Sequence, residues 1–220
     1  MQIKGIIFDM DGLMFDTERI GYNLMFDIVK SFGYILPTEI LNQTIGVNRK
    51  TAINIFEKYY GIGFPAEEIL SIKRNIVDKY LKDKGIPLKM GLVNLLDYLD
   101  KQHIKKVVAT SSYRKVTEMI LLQTNLINRF DDIVCGDEIK ESKPAPDIFL
   151  KALNKLNLSA KNVLVLEDSR MGILAAYQAG IKSIMIPDIL PADEHSKNLY
   201  FKEFQNLNDV KLFLQTINNN

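Results

Sequence analysis

Short apolar runs alternate along the chain with longer segments of helical periodicity. Five of these runs predict strands, at residues 3–8, 106–110, 133–135, 162–167 and 182–186. Strands that alternate with helices in this way form parallel sheets, because each helix provides the crossover to the next strand. The pattern therefore predicts an α/β fold with a doubly wound parallel sheet.

A long helical segment separates the first predicted strand from the second. Apolar residues recur every three or four positions over residues 18–84, which places them on one face of each helix. Glycine and proline residues divide the segment into short helices. We expect a helical cap at residues 17–87, inserted into a core of residues 1–16 and 88–220. The two connections are the expected hinges, and the cap is expected to act as a lid over the sheet edge.

Composition and charge are those of an ordinary globular protein. Of the 220 residues, 47% are hydrophobic, which is enough for a buried core. The formal net charge is +1 and the charges are interspersed, so neither nucleic acid nor a membrane is expected as a partner. The chain has no signal-peptide pattern and no long apolar run, so we expect a cytoplasmic protein. A monomer is the default expectation.

The few cysteine and histidine residues exclude several kinds of site. With one cysteine the chain cannot form an internal disulfide or a thiolate metal cluster. Its two histidines have no ligand-like spacing, so neither a histidine triad nor a zinc site is expected.

Two aspartates, Asp9 and Asp11, follow the first predicted strand, with Gly12 directly behind them. In a parallel α/β sheet, the carboxyl ends of the strands open onto the crevice where ligands bind. Two adjacent carboxylates there need a cation. The pair therefore predicts a divalent-metal site, most simply magnesium, with one carboxylate as nucleophile and the other as proton donor.

Three further segments place polar residues after a predicted strand or in a rigid turn, so all could meet at this edge. Thr110, Ser111 and Ser112 suit a phosphate oxygen, although such residues alone more often cap a helix. Lys143 precedes two prolines and suits a phosphate or a carboxylate, although an isolated lysine is usually solvated. Glu167 and Asp168 are candidate metal ligands or a helix cap with first-turn charge.

The combination and order of these four segments resemble the haloacid dehalogenase superfamily of aspartate-nucleophile phosphotransferases. The resemblance covers nearly the whole chain and implies a Rossmann-like core with an α-helical cap. Residues 8–18, 143–149 and 166–169 are most similar to the β-phosphoglucomutase-like branch. That branch also contains sugar phosphatases and a pseudouridine monophosphatase.

The resemblance implies a role for each carboxylate of the first motif. Asp9 would attack the phosphorus of a phosphomonoester and form an aspartyl-phosphate. Asp11 would protonate the leaving alkoxide and then deprotonate the water that hydrolyses the intermediate. Asp9, the backbone carbonyl of Asp11, and Asp168 would hold Mg²⁺.

The remaining motif residues would act on the phosphoryl group or support the metal ligands. Ser111, Ser112 and Lys143 would neutralise phosphoryl oxygens, and Lys143 would also orient the nucleophile. Glu167 would lie next to the metal ligands, without binding the metal itself, and help to orient them.

Two cations of the predicted cap are candidates for substrate binding. Residues 46–49 resemble the segment through which β-phosphoglucomutase contacts its second phosphate, and Arg74 lies where that enzyme has a cationic cap residue. Arg49 and Arg74 would then contact substrate, although both could be ordinary solvated charges. Asp16 could either cap the first cap helix or act at the hinge.

The predicted function is a magnesium-dependent phosphatase that acts on small phosphomonoesters, such as sugar phosphates or nucleotide-like substrates. Asp11 favours phosphoryl transfer over dehalogenation, because a departing halide needs no proton. A β-phosphoglucomutase-type mutase is the alternative, but the mutase's cap histidine is replaced in the neighbourhood of residues 19–21. A non-catalytic binding protein is less favoured, because it has no reason to retain a nucleophile, an acid and a metal ligand together.

Overall fold

The computed structural model describes residues 2–191 and 196–218. The chain forms two units, a core unit of Met1–Phe15 with Leu88–Asn220 and a cap unit of Asp16–Pro87. Within the described ranges, every helix is too short or too polar to span a lipid bilayer.

The core unit contains a parallel sheet, as the alternating pattern predicts. Its strands in the described residues are β1 (Gly5–Phe8), β2 (Lys105–Thr110), β3 (Asp132–Cys135), β4 (Val163–Glu167), β5 (Lys182–Met185) and β6 (Lys202–Glu203). Their order is β3-β2-β1-β4-β5-β6, and every pair is parallel. The order reverses at β1, so the carboxyl ends of β1 and β4 meet at a topological switch point. The sequence analysis missed β6, because two residues are too few to show a strand period.

Helices cover the sheet and provide its crossovers. The core helices are α5 (Leu92–Lys101), α6 (Arg114–Gln123), α7 (Asp147–Leu156), α8 (Arg170–Gln178) and α9 (Leu207–Asn218), with short 3₁₀ turns at Ile127–Arg129, Gly136–Glu138 and Ala160–Asn162. α7 packs on β2 and β3. Its Phe149 is fully buried in one apolar cluster with Ile7 and Val165 from the two central strands. Burial of each such side chain contributes about 1.5–3 kcal/mol, which holds β1 and β4 side by side.

The cap unit is helical and has a hydrophobic core of its own. Its helices are α1 (Thr17–Ser31), α2 (Thr38–Asn42), α3 (Arg49–Tyr60) and α4 (Ala66–Lys84). Phe56, Ile69 and Val29 are fully buried in this core. Asp16 occupies the N-cap position of α1, but its carboxylate pairs with Arg19 at 3.5 Å and does not cap the first-turn N–H groups.

Candidate active site

Asp9 is the first residue after β1, and the strand register decides what lies beside it. Phe8 pairs with Val108 of β2 on one side and with Leu166 of β4 on the other. The backbone N–H of Asp9 donates to the Leu166 carbonyl at 3.0 Å. Asp9 and Glu167 therefore leave adjacent strands at the same level, and Asp9 is only 6% exposed.

Lys143 lies between the Asp9 and Glu167 carboxylates. Its ammonium donates to Asp9 Oδ1 and, at 2.5 Å, to Glu167 Oε1. Burial alone would lower the pKa of Lys143, but the two adjacent carboxylates raise it, so the lysine stays charged. The ammonium also lies 4.9 Å from the centre of the Phe149 ring, which fixes the lysine against α7.

The pKa of Asp9 is raised from 3.8 to about 8. Burial is the largest cause, because it removes water from the ionised carboxylate. Lys143 opposes the shift, whereas the negative charges of Glu167 and Asp11 add to it. A further cation beside Asp9 would therefore favour the ionised form that the nucleophile requires.

Glu167 is fully buried and is held by donors on both oxygens. Oε1 accepts from Lys143, and Oε2 accepts from the backbone N–H of Ser169 at 2.7 Å and from its hydroxyl at 3.0 Å. The first turn of α8 leaves room for this carboxylate only because residue 172 is glycine, since a Cβ there would lie 1.7 Å from Oε1. Glu167 is thus placed to fix Lys143.

Three carboxylates converge at this edge. Asp9, Glu167 and Asp168 each offer one oxygen, and these oxygens lie within 4.8 Å of one another. A group of carboxylate oxygens suits a hard divalent cation. Both oxygens of Glu167 accept hydrogen bonds, from Lys143 and from Ser169, so this carboxylate holds two donors at the edge of the group.

Gly12 makes space for Asp168. Its φ of +85° is in the left-handed region, and a Cβ there would lie 2.2 Å from Asp168 Oδ2. Both the backbone turn and the approach of the carboxylate therefore require glycine. The turn that follows Asp11 therefore forms the space that the Asp168 carboxylate occupies.

The Asp11 carboxylate is not a member of the converging group. Its Oδ2 accepts from the Ser112 hydroxyl at 2.8 Å and lies 3.5 Å from the Thr110 hydroxyl. Asp11 and Asp9 thus leave the same turn toward different partners. The expected metal contact of Asp11 through its backbone carbonyl stays a prediction.

Ser111 and Ser112 follow β2 at the same edge but have different surroundings. Ser111 is exposed. The Ser112 hydroxyl donates to Asp11, and the Ser112 N–H donates to Thr110 Oγ1 at 3.0 Å. The Ser112 carbonyl accepts from the N–H of Gly136 at 2.9 Å. Ser111 therefore has the more accessible hydroxyl for a phosphate oxygen.

The two cap arginines form ion pairs within the cap unit. Arg49 donates to the Glu67 carboxylate at 2.6 Å and to the Ser71 hydroxyl at 2.8 Å. Arg74 lies 3.8 Å from Asp78 in an i,i+4 pair. Their substrate contacts stay predictions.

Sequence reasoning assigned no role to two residues that shape the site, namely Ser169 and Gly172. Ser169 could have been found, because a serine before a helix that accepts from an N–H three residues on is a typical N-cap, and here Gly172 donates at 3.1 Å. The space at Gly172 depends on how the first turn of α8 packs against the Glu167 side chain, which has no local sequence signal.

The geometry places the buried carboxylate of Asp9 at the switch point, with Lys143 and Asp168 beside it. This arrangement is typical of an α/β enzyme with acidic residues at the carboxyl ends of its strands. The chain belongs to the haloacid dehalogenase-like hydrolase family, whose model matches residues 6–186. The predicted family and hydrolase class are thereby confirmed.

Several relatives are named phosphatases. The chain is 33% identical to the "Probable pseudouridine-5'-phosphatase" of Drosophila melanogaster, over 85% of this chain and 83% of that protein. It is 29% identical to the "Phosphorylated carbohydrates phosphatase" of Thermotoga maritima, over 83% and 84% of the two chains. The fold matches β-phosphoglucomutase from Clostridium difficile with a TM-score of 0.78 at 21% identity, covering 99% of this chain and 98% of that one.

Proposed function

We propose that this chain is a magnesium-dependent phosphatase that hydrolyses small phosphomonoesters through an aspartyl-phosphate. The observation that carries the proposal is the placement of Asp9, which is buried, bonded to Lys143 and grouped with Asp168. A surface carboxylate would have none of these features. The names of the relatives support a phosphate ester as the substrate.

The chemistry follows from two aspartates with different partners. A carboxylate oxygen of Asp9 attacks phosphorus, and the bond from phosphorus to the leaving oxygen breaks with its electron pair on that oxygen. Asp11 gives its proton to this oxygen. Asp11 then takes a proton from water as the water attacks phosphorus, and the bond to Asp9 breaks. Both aspartates return to their starting states.

Asp9 and Asp168 would hold Mg²⁺, together with the backbone carbonyl of Asp11. The fit rests on the converging oxygens and on the space that Gly12 leaves for Asp168. When bound, Mg²⁺ supplies positive charge that lets an anionic phosphate approach an anionic nucleophile. Lys143 and Ser111 neutralise further phosphoryl oxygens from the protein side.

Phosphate release from a panel of phosphomonoesters tests the proposal. The panel includes pseudouridine 5′-phosphate, glycerol 3-phosphate and several sugar phosphates, each assayed with Mg²⁺ and with EDTA. We expect Mg²⁺-dependent release by the wild-type protein and a loss of at least about 10³-fold in Asp9→Asn, which has no nucleophilic carboxylate. Absence of release from every ester, or full activity of Asp9→Asn, would contradict the proposal.

The same assay separates a phosphatase from a phosphosugar mutase. The wild-type protein is incubated with β-glucose 1-phosphate and a bisphosphate primer, and the products are identified. A phosphatase yields free phosphate, whereas a mutase yields glucose 6-phosphate.

A further inference from the structure

The Asp11 carboxylate faces a hydroxyl at the start of another loop. Ser112 Oγ donates to Asp11 Oδ2 at 2.8 Å, and the two residues are 101 positions apart in the chain. By contrast, Asp9 and Asp168 belong to the group that suits a cation. The Asp11 carboxylate therefore has a partner, Ser112, that lies outside the group of converging carboxylates.

Ser112 is itself held by the ends of two strands. Its N–H donates to Thr110 Oγ1 at 3.0 Å, and its carbonyl accepts from the Gly136 N–H at 2.9 Å. A Cβ at Gly136 would lie 2.2 Å from the Ser111 carbonyl oxygen. Only glycine can therefore approach the Ser112 carbonyl closely enough to form this hydrogen bond. With its backbone fixed after β2 and after β3, Ser112 presents its hydroxyl from a rigid support.

We propose that Ser112 is a positioning residue, whose hydroxyl orients Asp11 for proton transfer to the leaving oxygen. The inference rests on the proposed phosphatase function. A serine hydroxyl has one proton to donate, and here Asp11 Oδ2 receives it. With Oδ2 held by this bond, Asp11 would transfer its proton from Oδ1. Ser112 thus acts through Asp11, while Ser111 contacts the phosphoryl group.

Leaving groups that differ in their need for a proton test this role. An alkoxide must be protonated as it departs, whereas p-nitrophenolate departs without a proton. The readout is kcat/KM for glycerol 3-phosphate, or the best alkyl ester of the panel, and for p-nitrophenyl phosphate. This constant reports transition-state stabilisation up to departure of the leaving group.

Ser112→Ala is the informative variant. We expect kcat/KM for the alkyl ester to fall about tenfold, and that for p-nitrophenyl phosphate to stay within about twofold of wild type. Turnover of p-nitrophenyl phosphate also shows that the variant is folded. Ser112→Thr retains the hydroxyl and should restore the alkyl ester to within about threefold of wild type.

Ser111→Ala provides the comparison within the same loop. Because both esters share the phosphoryl group, this variant should lower kcat/KM for both by the same factor. Equal losses for both esters in Ser112→Ala would assign Ser112 to phosphate binding and overturn the proposal, as would no change for either ester. A wild-type protein that hydrolyses neither ester would instead overturn the phosphatase function, and this inference with it.

Discussion

Asp9 is the residue whose chemistry depends most on its surroundings. Burial raises the pKa of its carboxyl to about 8, with smaller additions from Glu167 and Asp11 and opposition from Lys143. In the proposed function Asp9 is a nucleophile and metal ligand and must be ionised, so protons and Mg²⁺ would compete for this carboxylate.

This competition predicts that stabilisation by Mg²⁺ depends on pH. The pKa of Asp9 is about 8 in the folded protein and 3.8 as its ordinary value, so between these values the folded state holds the extra proton. Without metal, stability is therefore lost as the pH rises toward about 8. Mg²⁺ binds the ionised form, so its apparent affinity should fall by up to about tenfold per pH unit below about pH 8.

Thermal unfolding with and without Mg²⁺ measures this effect. We expect a larger increase in Tm at about pH 8.5 than at about pH 6. Asp9→Asn removes the titrating group and should abolish the difference between the two pH values. An equal increase at both pH values in the wild-type protein would show that Asp9 is already ionised at the lower one.

Replacing Gly12 by alanine should affect Mg²⁺ binding more than it affects the stability of the fold. Gly12→Ala places a Cβ 2.2 Å from Asp168 Oδ2 at a φ of +85°, so the carboxylate must move. Gly180→Ala is the matched control, because φ is +70° and no atom lies within 4 Å of its Cβ. Gly180→Ala should lose about 1 kcal/mol of unfolding free energy in urea from its backbone conformation alone, and Gly12→Ala should lose at least as much. Gly12→Ala alone should also weaken Mg²⁺ binding by at least about tenfold, measured by titration. Equal Mg²⁺ affinities in the Gly12→Ala and Gly180→Ala variants would contradict the role of Gly12 in making space for Asp168.

At the scale of elements, the junction of β4 and α8 supports the site. Ser169 accepts from the Gly172 N–H as the N-cap of α8, and it donates to Glu167 at the end of β4. Ser169→Ala should therefore cost about 2 kcal/mol of unfolding free energy, from the lost cap and a buried carboxylate with one donor fewer. Turnover should also fall, because Glu167 fixes Lys143.

Urea unfolding and phosphate release measure both effects. Ser169→Thr retains the hydroxyl and should lose less than about 1 kcal/mol. If Ser169→Ala and Ser169→Thr were equally destabilised, the hydroxyl would have no part in the junction.

For the whole molecule, the two units have separate hydrophobic cores. Phe56 is fully buried in the core of the cap unit, and Phe149 is fully buried in that of the core unit. Truncation of either to alanine should remove about 3–5 kcal/mol from the unit that contains it. Because each apolar cluster lies within one unit, we expect the two units to lose protection separately.

Hydrogen exchange of backbone amides measures the protection of each unit. Phe56→Ala should reduce protection in α1, α3 and α4 and leave β1 and β4 unchanged, whereas Phe149→Ala should do the reverse. A uniform loss throughout the chain in both variants would show one cooperative unit.

Local pattern predicted five of the six strands in the described residues and the helical character of the cap, because strand and helix periods depend on near neighbours. The two-residue strand β6 had no such period. The lid role of the cap, the substrate contacts of Arg49 and Arg74, the monomeric state and the cytoplasmic location stay predictions.

The sequence by itself determined the parallel sheet, the family and the residue types that meet at its carboxyl edge. Parallel strands must end at the same edge, so polar residues after each strand converge whatever the details of packing. Only the tertiary structure decided which side chains touch. Lys143 bonds to Asp9 across 134 positions of the chain, and Ser112 bonds to Asp11 across 101. Such contacts depend on strand register and on glycines at points of close approach, which no local pattern encodes.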